Sequence, residues 1–164
     1  EPNRPITRAE IFRLLVELLR QNGKDASNSE VASPPSFKDV SPDAWYAPFV
    51  EAAARLGLAA GDGGRVRPND AVSREELAAL FRRSALLIGY EPRTPADPTA
   101  LGRFADADRV SGWARESLAY AVSQGWIRGS ADTRLNPNGQ ATRAEASAAL
   151  LRVLTSLGAI ASEP

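Results

Sequence analysis

Three stretches of the chain carry apolar residues over most of a helical surface. The first runs from Ile11 to Leu19, and its polar residues recur at three- and four-residue spacing, so they form one narrow stripe. The second runs from about 74 to 88 and the third from about 143 to 157, where Gly158 is suited to end a helix. A helix that is apolar over most of its circumference is packed on several sides. The pattern therefore predicts three core helices in an all-α fold.

The same four-residue motif precedes each of these helices, shortly after a Pro-Asn pair. The three copies are Thr7-Arg8-Ala9-Glu10, Ser73-Arg74-Glu75-Glu76 and Thr142-Arg143-Ala144-Glu145. A hydroxyl residue followed three positions later by Glu is the pattern of a capping box, in which each side chain accepts a hydrogen bond from the other residue's backbone N–H. This predicts helix-capping roles for Thr7, Ser73, Thr142, Glu10, Glu76 and Glu145.

An arginine follows the capping residue in all three copies, although a capping box does not require one. Arg8, Arg74 and Arg143 would stand at the first helical position. Unpaired N–H groups and the positive end of the helix dipole favour an anion there. The motif therefore predicts three copies of one anion-recognition device. The alternative for each arginine is a surface ion pair with a nearby acid.

A second block lies between the core helices and occurs twice. The block beginning at Phe37 shares its order of Phe-x-Asp, Trp and two glycines with the block beginning at Phe104. Within each block we expect a helix that begins at Ser41-Pro42 or Ser111-Gly112 and ends at the first glycine. Little in either block indicates a β-strand. Repeated units of this kind bury their apolar faces against one another.

The composition excludes several kinds of chemistry. The chain has no Cys and no His, which excludes disulfides, thiolate and imidazole metal sites, and catalysis by histidine. Its 20 basic and 20 acidic residues cancel, so no overall field favours nucleic acid or an anionic membrane. No apolar run is long enough to insert into a membrane. We expect a protein that is not an enzyme and holds no cofactor or metal; a carboxylate-pair hydrolase is disfavoured because each recurring acid has a capping role.

The chain resembles the S-layer homology domain in the order of its motifs. These are Phe-x-Asp-Val, Trp, Ala, Gly-x-x-x-Gly, aliphatic-x-Pro and Thr-Arg-Ala-Glu. The resemblance covers residues 37–87 and 104–152, while residues 2–19 match only the closing half of a further repeat. It implies a pseudo-threefold spindle with a central three-helix bundle and helix-loop prongs. The implied division is a half-repeat (1–22), a linker (23–36), a repeat (37–88), a linker (89–103), a repeat (104–158) and a tail (159–164).

The resemblance also implies a function. Members of this family anchor exported proteins to cell-wall polysaccharide, often through a pyruvylated sugar such as pyruvylated N-acetylmannosamine. The chain would thus be secreted and act at the cell surface, cell wall or S-layer, with a pyruvylated secondary cell-wall polysaccharide or a peptidoglycan-linked polymer as its partner. Arginine offers a planar fork that matches a carboxylate, and an indole can stack on a sugar ring. The implied ligand-binding residues are Arg8, Arg74, Arg143, Trp45, Trp113, Asp39, Asp106, Gly61 and Gly129.

Several features depart from the family pattern and leave alternatives open. Glu75 replaces the motif alanine, and we expect its carboxylate to weaken anion binding by Arg74. The first repeat lacks its Phe-x-Asp and Trp half, so at most two grooves should be intact. A second hypothesis is therefore a structural or self-assembly module whose half-repeat is completed by a partner or a second subunit. Core packing competes with sugar stacking for the two block tryptophans, and a structural role in a turn is favoured for the two block aspartates.

Overall fold

The fold consists of helices and loops throughout the described residues, which are 1–28, 36–91, 97, 99–130 and 133–158 of the computed structural model. The α-helices are α1 (Arg8–Gln21), α2 (Ala47–Arg55), α3 (Arg74–Ile88), α4 (Arg115–Ser123) and α5 (Arg143–Ser156). Short 3-10 helices span Ala26–Asn28, Ala100–Arg103, Ala107–Arg109 and Gly112–Ala114. Isolated bridges occur but no strand forms within these ranges, so the all-α prediction is confirmed.

Some sequence predictions fall on residues that are not described. The predicted tail (159–164) and parts of both predicted linkers lie outside the described residues. The described end of the second linker is a 3-10 helix, in which Leu101 is 3% exposed. Among the described residues none of the helices could span a bilayer.

The chain divides into two compact units, Ile6–Ala71 and Glu1–Pro5 together with Val72–Pro164. In the smaller unit α1 packs on α2, and the core is formed by Ile11, Phe12, Leu15, Val50, Leu58 and Val66. In the larger unit α3 contacts both α4 and α5, and the core is formed by Leu77, Phe81, Leu118, Trp126, Leu135 and Val153. Apolar residues of α1 are thus buried against α2, and those of α3 against α4, the helices of the two repeated blocks.

The three motif helices, α1, α3 and α5, begin with the same set of hydrogen bonds. Each has a capping box, formed by Thr7 and Glu10, by Ser73 and Glu76, and by Thr142 and Glu145. The N–H groups of the first two helical residues donate to two carbonyls of a Pro-Asn loop. On α1, Arg8 donates to Asp70 and Ala9 to Pro68; on α3, Arg74 donates to Gly139 and Glu75 to Pro137. On α5, Arg143 donates to Arg4 and Ala144 to Pro2.

These bonds satisfy all four N–H groups that a helix start leaves without an intrahelical acceptor. The prediction that unpaired backbone N–H groups at the motif would receive an anion is therefore wrong. The physical reason is that the Pro-Asn loop places its own carbonyl oxygens on the two groups that the capping box does not reach.

The helices of the repeated blocks begin later than the sequence predicts. Residues 41–46 form consecutive turns, with the N–H of Ala44 on the carbonyl of Ser41 and the N–H of Ala47 on that of Ala44, and α2 begins only at Ala47. In the second block a 3-10 turn at Gly112–Ala114 precedes α4. Ser111 does not cap this turn, because its hydroxyl donates to Glu75 instead.

Glu75 joins α3 to the start of the second block. Its side chain is 5% exposed, and it accepts hydrogen bonds from the N–H of Ser111 at 3.0 Å and from the Ser111 hydroxyl at 2.6 Å. Both of its oxygens are bound to Ser111, and the expectation that this carboxylate weakens anion binding by Arg74 stays a prediction. Glu75 makes a buried structural contact that the copies with alanine at this position do not have.

We predict that Glu75→Ala lowers the free energy of unfolding by about 1–3 kcal/mol, because the Ser111 N–H and hydroxyl lose their buried acceptor. Chemical denaturation followed by circular dichroism measures the change. Glu91→Ala, at an exposed position, is the control and should stay within about 0.5 kcal/mol of the parent. Equal stability of the two variants would contradict the role assigned to Glu75.

Candidate functional site

Asp39 and Asp106 hold the loop that follows the helix of each block. The two carboxylate oxygens of Asp39 accept from the N–H groups of Val66 and Arg67 at 3.0 and 2.7 Å. Asp106 binds the N–H groups of Leu135 and Asn136 in the same way, both at 2.8 Å. Since both oxygens of each carboxylate are bound to backbone, these residues have a structural role. Ligand contact by either aspartate stays a prediction.

The same contacts set the ionisation of these two carboxyls. Burial raises the pKa of Asp39, but the hydrogen bonds from Val66 and Arg67 outweigh it, so the pKa lies below the ordinary value. Burial likewise raises the pKa of Asp106, and the hydrogen bonds from Leu135 and Asn136 outweigh it, so this pKa also lies below the ordinary value. Both groups are therefore bound in the charged form.

The second glycine of each block lies directly against the block's phenylalanine. A Cβ at Gly61 would lie 2.5 Å from the Phe37 ring and 3.0 Å from the carbonyl oxygen of Arg65. A Cβ at Gly129 would meet the ring of Phe104 equally closely. Both positions require glycine so that the aromatic ring can pack, and contact of either glycine with a ligand stays a prediction.

The first two motif arginines each bind a backbone carbonyl of the loop that precedes a Pro-Asn pair. Arg8 Nε donates to the carbonyl of Val66 at 2.8 Å, and Arg74 Nε to that of Leu135 at 2.6 Å. In each unit a single loop residue, Val66 or Leu135, thus donates its N–H to the block aspartate and accepts at its C=O from the motif arginine. The Arg8 guanidinium also lies 5.6 Å from the centre of the Phe12 ring, and Arg143 is exposed.

Arg74 is held by three hydrogen bonds at once. Besides the carbonyl of Leu135, its guanidinium donates to the carbonyl of Arg128 at 2.6 Å and to Glu145 at 2.7 Å. Its side chain is only 12% exposed. A guanidinium has five N–H groups, so these bonds leave two for another acceptor. Arg74 is therefore a fixed residue that joins α3, α5 and the second block.

An open cleft lies beside Arg74 in the larger unit. It has a volume of about 320 Å³, and it is lined by the starts of α3 and α5 and by residues 126–128. Three arginines (Arg74, Arg128 and Arg152) and one acid (Glu145) line it. Glu145 already caps α5 and pairs with Arg74 at 2.7 Å. The cleft therefore carries two further positive charges.

Arg128 and Arg152 supply this excess positive charge. Neither makes an ion pair with a described residue, although Arg152 donates to the carbonyl of Trp126 at 3.2 Å. Burial lowers the pKa of Arg152, and the nearby charge of Arg128 lowers it further. Two like charges this close are stabilised by an anion between them. Arg128 also lines a second cleft, of about 450 Å³, together with Gly129 and Phe104.

The tryptophans of the two blocks are exposed. Trp45 is 53% exposed and lies edge-on to Tyr46, with ring centres 5.5 Å apart, and near Phe49. Trp113 is 61% exposed, and it is not among the described residues that line the cleft. Core packing does not account for rings this exposed, whereas stacking on a sugar stays a prediction. Trp126 is fully buried and donates to the hydroxyl of Ser156 at 2.9 Å.

Sequence reasoning missed Arg128 and Arg152. Comparison of the two blocks contained a signal for Arg128, since it stands directly before the second glycine, where the first block has Ala60. Nothing in the pattern of α5 separates Arg152 from an ordinary surface arginine. In the part of the chain that the structure describes, no cluster of three or more acidic residues is arranged to hold a metal ion.

Comparison with known proteins identifies this arrangement of repeats. The model of the S-layer homology domain matches residues 36–78 and 103–147. The chain is 38% identical over 162 residues to an amylopullulanase of Thermoanaerobacterium thermosulfurigenes, covering 98% of this chain and 8% of that protein. It is 36% identical over 156 residues to the exoglucanase XynX of Acetivibrio thermocellus, covering 94% and 13%. The surface-layer 125 kDa protein of Lysinibacillus sphaericus is 31% identical over 162 residues, covering 96% and 12%.

We predict that the protein loses stability as the pH falls through the range in which Asp106 and Asp39 become protonated. Their pKa values are lower in the folded protein, so their contribution is complete above the unfolded pKa of about 3.9 and disappears below the folded one. Asp106→Asn should cost about 2 kcal/mol at neutral pH and flatten this acid dependence. Denaturation curves at several pH values measure both effects. The exposed Asp108→Asn is the control, and a parent-like acid profile in Asp106→Asn would count against the proposed bonds.

Proposed function

Because the chain belongs to the S-layer homology domain family, we propose that it attaches the protein that carries it to the cell wall by binding a pyruvylated secondary cell-wall polysaccharide. The binding site is the cleft between the starts of α3 and α5, where Arg128 and Arg152 present their charges beside the fixed Arg74. The observation that carries the proposal is this pair of arginines, which have no acidic partner in the part of the chain that the structure describes.

Family membership assigns the chain to the cell surface or cell wall and makes it an anchoring module. The enzymes among its relatives are much larger proteins, of which the chain spans 8% and 13%. The activities in their names belong to those proteins. An anchoring module attached to different partners accounts for matches to both enzymes and surface-layer proteins.

The chemistry of the cleft favours a carboxylate. A guanidinium presents two parallel N–H groups that match the two oxygens of a carboxylate, and hydrogen bonds between charged groups contribute about 1.5–3 kcal/mol each. A pyruvyl ketal places such a carboxylate on a sugar ring. The apolar part of the lining, which includes Leu77, Ile127 and Ala148, suits the methyl group and ring face of the same substituent.

Arg74 acts in this site mainly as a positioning residue. It binds the carbonyl of Arg128 and pairs with Glu145, and it thereby fixes one of the two binding arginines and neutralises the acid of the cleft. Substitution of Arg74 by Ala would break three bonds at once, so lost binding in that variant would not separate unfolding from lost recognition. Arg128 and Arg152 give a cleaner test.

The backbone of the helix starts does not take part in this proposal, since its N–H groups are already bound. Trp113 would meet the polymer outside the cleft. Its exposed indole suits stacking on another sugar of the polysaccharide. The polysaccharide would then contact the larger unit both in the cleft and at Trp113.

We predict that Arg128→Ala combined with Arg152→Ala weakens retention on purified pyruvylated wall polymer at least about tenfold, because two charge-assisted contacts are lost. The helical circular dichroism spectrum should not change, since neither side chain joins the core. Arg83→Ala, which removes an exposed arginine of α3 that does not line the cleft, is the matched control. Undiminished retention of the double variant would contradict the assignment of the site.

We also predict that removing the pyruvyl groups from the polymer weakens binding by the unaltered protein to a similar degree. Added salt should weaken binding to the pyruvylated polymer and have little effect on binding to the polymer without pyruvyl groups, because screening acts on the charged contact. Co-sedimentation with both polymers over a range of salt concentrations measures this. Equal affinity for both polymers would refute carboxylate recognition and leave anchoring through a neutral part of the polysaccharide.

A further inference from the structure

The second cleft of the larger unit carries positive charge that the repeated motifs do not contain. The cleft has a volume of about 450 Å³ and lies against the start of the block at Phe104. Arg103 and Arg128 line it, and none of the described residues that line it is acidic. It shares Ile127 and Arg128 with the cleft beside Arg74. The two clefts therefore adjoin at residues 127–128.

Arg103 is held over an aromatic ring of this cleft. Its guanidinium lies 5.0 Å from the centre of the Phe104 ring, a distance at which the ring attracts the cation. Hydrogen bonds from Thr99 and, to a smaller extent, the charge of Arg103 lower the pKa of Asp97. Asp97 accepts from the N–H and the hydroxyl of Thr99 at 2.8 and 2.7 Å. Among the described residues Arg103 makes no ion pair, so its charge is positioned by the ring and is not neutralised by direct contact.

Comparison with the first block shows that these charges are not needed to build the repeat. Where the second block has Arg103 and Arg128, the first has Ser36 and Ala60. Both blocks nevertheless make the same aspartate bonds and the same contact between glycine and phenylalanine. A cleft lined by charges of one sign concentrates counter-ions. Charge of this kind, without a structural use, indicates an anionic ligand.

Thr133 points to a ligand at the same cleft independently of the charges. It lines the cleft with a φ of +61°, which is costly for a β-branched residue. The equivalent residue of the first block is Gly64, since its carbonyl accepts from the N–H of Lys38 at 2.9 Å as that of Thr133 accepts from the N–H of Ala105 at 3.1 Å. Glycine adopts such a conformation without strain. A strained threonine in place of glycine at a cleft is typical of a functional site.

The rest of the lining suits one sugar ring. The volume of about 450 Å³ lies within the range of about 300–1,000 Å³ that is usual for ligand sites. The ring of Phe104 and the side chain of Val122 form an apolar part of the lining, and Ser130 and Thr133 add hydroxyl groups. A sugar has the same combination of an apolar face and hydroxyl groups, and arginine binds a carboxylate or a phosphate on it.

We propose that the second cleft is a subsite for a second anionic group of the polysaccharide, a carboxylate or phosphate on the sugar next to the one bound beside Arg74. This inference rests on the function proposed above. Arg103 and Arg128 bind the anion, and Thr133 contacts the sugar that carries it. Because Arg128 lines both clefts, it contacts the polysaccharide where the chain passes from one cleft to the other. The module then recognises two successive sugars.

The experiment measures the binding of short fragments by isothermal titration calorimetry. The probes are a pyruvylated monosaccharide and three disaccharides, in which the sugar next to the pyruvylated one carries a carboxylate, a phosphate or no charge. We expect the better of the two charged disaccharides to bind at least about tenfold more tightly than the monosaccharide, and it identifies the anionic group. The neutral disaccharide should gain less than about threefold. An equal gain for the neutral disaccharide would overturn the proposal.

Arg103→Ala should remove most of the gain of the charged disaccharide over the monosaccharide, because the anion loses one of its two arginines. Arg109→Ala is the matched control, since it removes an exposed arginine of the same block that lines neither cleft. It should keep the full gain. Both variants should have the circular dichroism spectrum of the parent. A full gain in Arg103→Ala would overturn the proposal.

Arg152→Ala separates this inference from the proposed function on which it rests. Arg152 lines the first cleft and not the second, so its loss should weaken the monosaccharide and the charged disaccharide alike and leave their ratio unchanged. Parent-like binding of the monosaccharide by Arg152→Ala would contradict the assignment of the first cleft. The ratio measured for Arg103→Ala would still decide for or against the second.

Thr133→Gly tests the role given to the strained residue. Glycine adopts this φ without strain, so the melting temperature should not fall by more than about 2 °C. The gain of the charged disaccharide should nevertheless decrease at least about threefold, because a polar contact with its sugar is lost. A parent-like gain in Thr133→Gly would overturn the contact assigned to Thr133.

Discussion

The structure depends on hydrogen bonding between a Pro-Asn loop and the start of a motif helix. At each of the three helix starts a capping box satisfies two backbone N–H groups, and two carbonyls of the loop satisfy the next two. A helix start without these partners would leave four donors to water or to a ligand. Because the loop closes a block, this bonding joins each block to a particular helix and fixes where its aspartate and glycine lie.

This constraint occupies the backbone N–H groups of the helix starts, so the anion recognition that we propose depends on side chains. With the N–H groups occupied, the motif arginines of α1 and α3 bind loop carbonyls as well, and Asp39 and Asp106 bind the N–H of the same loop residues. The repeated motif is thus largely a device for building the repeat. The two further positive charges of the cleft come from Arg128 and Arg152, which stand outside the motif. Arg128 stands where the first block has Ala60, whereas the counterpart of Arg152 on α3 is also an arginine, Arg83.

The three motif helices share the hydrogen bonds at their starts, but the same helix face differs in exposure among them. The face of α1 that carries Phe12 and Leu15 is buried, as is the same face of α3. On α5 the equivalent Ser147 and Leu150 are not buried, although the start of α5 makes the same loop contacts. Glu75 is a local adaptation of this face, since a carboxylate there is buried only because Ser111 binds both of its oxygens. Positions equivalent by sequence therefore differ in exposure, and a binding or docking role cannot be transferred between repeats by register alone.

The sequence by itself determined the helical class, the positions of the three motif helices and their capping boxes, because these follow from local periodicity and from side chains that reach only three residues along the chain. It did not determine the starts of α2 and α4, since turns and the bond between Ser111 and Glu75 override the local signal there. Nor could it show that the carbonyls of Pro68, Pro137 and Pro2 occupy the helix-start donors, or that Arg74 is held by Leu135, Arg128 and Glu145. These contacts join residues far apart in the chain. Only the tertiary structure decides which charges are neutralised by such partners and which, like those of Arg128 and Arg152, have no ion-pair partner among the described residues.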